Sequence, residues 1–167
     1  MRIVEGVAEI ADLDAFLGRI DDIATDHGVT VQAFDARYVV GRGHLERAVE
    51  LADRAFARDE NVARERGVEI LLYAAGRRQI DDALAMGVSE GRTPVAVVVS
   101  DANGDGSAEA AAASAVEDRL DPAATLDAVD AERVRAFFDV TEAELDATDG
   151  DLSDLVAERV ALLDVEK

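Results

Sequence analysis

The chain has 167 residues, 37 of them acidic and 17 basic, a net charge of −20 and no cysteine. The missing cysteine excludes disulfides, thiol catalysis and cysteine-ligated zinc, and no apolar run of about 18 residues supports a transmembrane helix. The length suits a single domain over 1–167, read as an α+β core at 1–106 and a mainly helical portion at 107–167.

The opening stretch MRIVEGVAEIADL has acids inside its apolar run and does not read as a signal peptide. Residues 2–8 alternate weakly and predict a strand, the least apolar of the set and the candidate edge strand. Leu13, Phe16, Leu17, Ile20 and Ile23 follow i, i+3, i+4, i+7, i+10 spacing, one face of an amphipathic helix. His27-Gly28 ends it, glycine suiting the left-handed position after a last turn. Residues 29–34 predict a second strand, and Gly41-Arg42-Gly43 a loop. Residues 44–58 predict a helix whose buried stripe is Leu45, Ala48, Val49, Ala52, Ala55 and Phe56. Asn61 is a candidate cap for a further turn running to Arg66 and closed by Gly67.

Residues 69–75, EILLYAA, predict a third strand. It runs into Gly76-Arg77-Arg78-Gln79, then a short helix over 80–86, a stop at Gly87 and a fourth strand over 94–99. A polar turn over 101–106 precedes an alanine-rich helix over 108–120. Asp121-Pro122 reads as an N-cap with proline at the first helical position. Short helices fill the rest: Thr141 and Glu144 form a capping box, with Val140 and Leu145 as its hydrophobic staple. Leu152, Leu155, Val156, Val160 and Leu163 line a final helix. The sum is α+β, a four-stranded sheet flanked by helices with a helical C-terminal portion.

Sixteen of the seventeen basic residues are arginine, and Lys167 is the only lysine. An arginine-based basic set beside an Asp-rich acidic surface fits a salt-rich cytoplasm, where charge keeps a protein soluble and salt screens self-repulsion. Residues 37–78 hold nine Arg and seven Asp or Glu, whereas 93–167 hold five basic and nineteen acidic residues. The arginines therefore concentrate in the middle, and the C-terminal half reads as a solvated surface.

Few motifs carry chemistry. Asp101, Asn103, Asp105 and Gly106 match the first half of an EF-hand loop, but the twelfth position, which needs a bidentate Glu, is Ala112. A Walker A loop and a core Schiff-base lysine both need an internal lysine, and the only lysine is Lys167, the last residue. No G-x-G-x-x-G is present. His27 lies in a helix-ending turn, and Ser100 ends a strand without the G-x-S-x-G context. No catalytic residue, metal or cofactor is assigned. A carboxylate- and metal-dependent hydrolase and an unrelated protein-interaction domain stay as alternatives.

Two clusters stand out. Arg47, Arg54 and Arg58 share a helix face with Glu50, ordinarily a solvated face with i, i+4 pairing. The functional reading joins Arg42, His44 and Arg47 with Arg77 and Arg78 into a patch whose guanidinium groups bind phosphate and stack on bases. Ile80, Ala83, Leu84 and Gly87 form a short apolar stripe, either core or a face offered to a partner helix.

The segments VQAFDARYVVGRGHLERAVELADRAF, NVARERGVEILLYAAGRRQIDDAL and PVAVVVS, in that order and spacing, resemble the small accessory subunit of the KEOPS complex. This is the CGI-type PRPK-binding protein family, TPRKB in animals. The resemblance implies a non-enzymatic subunit with no cofactor of its own; the charge pattern adds a salt-adapted, archaeon-like source, and the lack of an apolar span or signal peptide a cytoplasmic protein without membrane contact. Its implied partners are the kinase-like ATPase subunit of KEOPS and, as in archaeal members, the single-stranded 3′ CCA end of tRNA. The complex makes threonylcarbamoyl-adenosine in tRNA, with ATP and metal held by other subunits. On this reading Arg42, His44, Arg47, Arg77 and Arg78 meet tRNA, and Ile80, Ala83, Leu84 and Gly87 meet the kinase subunit.

Overall fold

The computed structural model describes residues 1–166. In chain order the elements are β1 (Arg2–Ile10), α1 (Leu13–His27), β2 (Thr30–Asp35), α2 (Arg42–Ala57), α3 (Arg66–Ala75), α4 (Ile80–Ala83), β3 (Gly91–Ser100), α5 (Ser107–Glu117), β4 (Asp121–Pro122), α6 (Ala131–Phe137), α7 (Glu142–Ala147) and α8 (Leu152–Glu166). Short 3-10 turns cover Ala36–Tyr38, Leu84–Met86 and Thr125–Ala128. The fold is α+β, as expected, around one antiparallel four-stranded sheet in the order β2-β3-β1-β4. The chain divides into two compact units, residues 1–36 with 87–128, and residues 37–86 with those from 129 onward.

The first unit is the sheet with α1 and α5. One sheet face, built from Val4, Ala8, Ile10, Val31, Ala33, Val95, Val97 and Val99, packs on Phe16, Ile20 and Ile23 of α1 and on Ala112, Ala113 and Val116 of α5. The run Val95–Val99 is buried at every residue, so β3 is continuously apolar rather than alternating. Helix α1 starts where the Asp12 carboxylate accepts the Ala15 N–H at 3.1 Å and ends at Gly28, whose φ of 64° is left-handed.

The first strand is not at an edge. It pairs with β3 along its whole length and with β4 at Gly6 and Val7. Asp121-Pro122 is thus a two-residue strand rather than a helix start; proline's missing N–H is tolerated on an edge strand. A Cβ on Gly6 would lie 2.8 Å from both the Asp121 carbonyl oxygen and Leu120 Cβ, so glycine is what lets this segment approach.

The second unit is helical, and the sequence misleads most here. EILLYAA is not a strand but the last seven residues of α3, all of them buried. An apolar run enclosed on every side has no periodicity to separate the two structures. The fourth strand is instead supplied by β4. Gly67 does not close a turn begun at Asn61; it sits in the first turn of α3. Gly76, not Gly67, ends this helix, at φ 60° with its Cβ position 3.4 Å from the Arg159 carbonyl oxygen. Arg42 and Gly43 belong to the first turn of α2 rather than to a loop. The expected capping box is present, with Glu144 N–H donating to Thr141 Oγ1 and Thr141 N–H to Glu144 Oε1.

Candidate functional site

Helix α2 begins at Gly41 without a side-chain cap. His44 stands in its first turn, 8 % exposed. The Nδ1 atom accepts the Val40 N–H at 3.2 Å, which places the proton on Nε2, and Nε2 donates to the Ala74 carbonyl at 2.8 Å. Burial lowers the His44 pKa to about 4, against a smaller upward pull from the Ala74 carbonyl. The neutral ring ties the start of α2 to the end of α3 and leaves no ring nitrogen for a ligand.

Arg42 and Arg47 lie on the exposed face of the same helix. Each holds an acid on its own helix at 2.7 Å, Arg42 with Glu46 and Arg47 with Glu50. Such exposed pairs contribute little and yield readily to a stronger anion. Arg78 is exposed.

Arg77 is used differently. Its guanidinium donates to the Phe137 carbonyl oxygen and stands 4.8 Å from the centre of the Phe137 ring. Phe137 meets Tyr38 edge-on at 5.4 Å and Phe138 at 4.9 Å, and Phe138 meets the His44 ring at 5.9 Å. The structure therefore brings His44 and Arg77 to adjacent rings of one aromatic corner.

Sequence reasoning passed over that corner and over Arg159. From α8, Arg159 donates to the Phe138 carbonyl at 3.1 Å, to the Asp139 carbonyl at 3.2 Å and to Glu144 at 2.7 Å. The Arg159 hydrogen bond pulls the Glu144 carboxyl below its ordinary pKa. Arg77 and Arg159 together satisfy carbonyls left open after α6 ends. They also line a cavity of about 240 Å³ with Gly76, Phe138, Asp139 and Leu162. His44 and Arg47 line a second, apolar one against Val156 and Val160 of α8. The available signal was Arg159 itself, the one arginine in the acidic stretch after Arg135.

Of the apolar stripe, Ile80 and Leu84 are 44 % and 55 % exposed, while Ala83 is fully buried. Gly87 is half-buried. The 101–106 segment is a polar turn, with Asp101 accepting from Asn103 and Asp105 from Ser107. Among the described residues no group of three or more His, Asp or Glu is placed to hold a metal ion, and no helix is long and apolar enough to cross a membrane.

The family description Kinase binding protein CGI-121 matches residues 7–164. The chain belongs to this family. No curated protein matched it in a similarity search. The CGI-121 match spans both compact units, so it takes in the α2 arginines, the aromatic corner and the Ile80–Leu84 turn alike. Membership makes kinase binding the property against which these surfaces are read.

Proposed function

We propose that the chain is a non-catalytic adaptor of the KEOPS tRNA-modifying complex, binding its kinase-like ATPase subunit and the 3′ CCA end of tRNA. The observation that carries this reading is the kinase-binding family match over nearly the whole chain. An adaptor needs exposed anchors rather than a reactive centre, and Ile80 and Leu84 are such anchors for the kinase subunit. Ala83 and Gly87 act behind them, in the turn that sets their direction.

For RNA, the solvent-facing guanidinium groups of Arg42, Arg47 and Arg78 are the phosphate contacts. His44 and Arg77 position them from within. A single-stranded end is held by stacking and directed hydrogen bonds together with phosphate contacts. The almost wholly arginine basic set suits a salt-rich cytoplasm, where counterion release adds little affinity and such contacts must suffice. The test is reconstitution of threonylcarbamoyl-adenosine formation from the purified subunits with and without this chain. A drop in tRNA turnover on omission, with ATPase subunit and catalytic subunit unchanged, is expected; an unchanged rate at limiting tRNA overturns the adaptor role.

A further inference from the structure

Helix α2 opens against the usual rules for a helix start. Gly41 offers no side-chain cap, the first turn holds no acid, and the first helical residue is Arg42. The positive end of a helix favours acids in its first turn and disfavours a cation there. Arg42 therefore does not serve the helix, and a residue that breaks a local rule marks a functional position.

The acids that hold the α2 arginines stand on the same helix. Arg42 Nε donates to Glu46 Oε1 and Arg47 Nη1 to Glu50 Oε1, both at 2.7 Å. Glu50 also lies 3.5 Å from Arg54. The side chains of the two close pairs are 40–58 % exposed. In each the arginine precedes the acid, the order that opposes the helix dipole, so neither pair adds much to folding. Asp53, farther along α2, is used differently. It grips Arg66 of α3 with both oxygens, at 2.6 and 2.9 Å, and so joins two helices. Among the described residues, the ion pairs of Glu46 and Glu50 stay within α2.

Their effect falls on phosphate instead. A carboxylate seated on a guanidinium takes N–H groups that a phosphate oxygen would use, and it repels the phosphate as well. The screening length is roughly 3 Å at about 1 M salt. An acid in contact with its arginine keeps this effect in such salt, whereas distant acids of the chain lose theirs.

We propose that Glu46 and Glu50 are built-in competitors for RNA at the α2 site: each occupies its arginine until a phosphate displaces it, so Arg42 and Arg47 are yielded only to an anion that outcompetes a carboxylate. This assigns a regulation to the site described above, and it rests on the tRNA reading.

The test is tRNA binding by the full chain, followed by fluorescence anisotropy in about 1 M KCl. The variants are Glu46→Gln and Glu50→Gln, each alone and each combined with alanine at its own arginine, Arg42→Ala or Arg47→Ala. Glu46→Gln and Glu50→Gln are each expected to tighten binding about two- to fivefold, the range of an exposed ion pair. Each gain should vanish once the partner arginine is alanine. Thermal midpoints should stay near wild type, because glutamine matches glutamate in helix propensity. Unchanged or weaker binding by both glutamine variants, with the wild type still binding tRNA, overturns the competition and leaves the tRNA reading standing. A gain that persists without the arginine assigns the effect to general charge and also overturns the competition. No binding by the wild type or by either glutamine variant overturns both readings.

Discussion

The guanidinium of Arg77 donates to the carbonyl of Phe137 and lies 4.8 Å from the centre of the same residue's ring. One side chain thus caps the end of α6 and stacks on its last residue. Arg77→Ala removes a charge-assisted hydrogen bond and a cation–π contact, and should cost ~1–3 kcal/mol in urea unfolding. Arg77→Lys, which keeps the charge but loses the planar fork, should recover only part of it.

His44 makes stability depend on pH with a definite sign. Its folded pKa is about 4 because burial disfavours the imidazolium, against 6.5 for an unperturbed ring. Protonation therefore favours the unfolded chain. The stabilising contribution is intact above about pH 6.5 and lost progressively as pH falls from there toward 4, amounting to roughly 3 kcal/mol. Urea midpoints from pH 7 to pH 4 should fall more steeply for the wild type than for His44→Gln, which lacks the buried ring.

Gly6 controls the approach of the 120–122 segment. With Asp121 and Leu120 atoms 2.8 Å from its would-be Cβ, Gly6→Ala must displace β4 or bend β1. A loss of ~1–3 kcal/mol is expected. Amide hydrogen exchange should show faster exchange at Val7 and Leu126, whose N–H is held by Glu5 at 2.8 Å.

On the proposed tRNA reading, Arg78 separates RNA contact from folding, since it is exposed where Arg77 is engaged. Arg78→Ala should weaken tRNA binding severalfold and reduce the slope of log affinity against log salt by about one. Its unfolding midpoint should match the wild type. Arg42→Ala should behave likewise after releasing Glu46. Unchanged tRNA affinity in the double Arg42→Ala/Arg78→Ala variant would remove both residues from the site.

Elements that expose one face were legible in the sequence. Phe16, Ile20 and Ile23 revealed α1 because its other side is polar, and Thr141 with Glu144 revealed the start of α7 through a local, self-contained bond pattern. The α3 segment was not legible, because Ile70, Leu71, Leu72, Tyr73, Ala74 and Ala75 are all enclosed and burial erased the pattern. Asp121-Pro122 misled because the same dipeptide suits a helix start or an edge strand, and only a partner at Gly6 decides. For the site, residue type marked the arginines, but not which were free. Arg77 and Arg78 are adjacent in sequence, yet one is bound to Phe137 and the other open to solvent. That difference depends on α6, sixty residues away.

The most direct test of the adaptor reading is the binding of a preformed complex of this chain and the kinase-like ATPase subunit to tRNA at high KCl. Intact tRNA is compared with tRNA lacking its 3′ CCA. The account predicts a stable ternary complex with intact tRNA that is lost on truncation. Equal binding to both forms, or failure of the two proteins to associate, would contradict it.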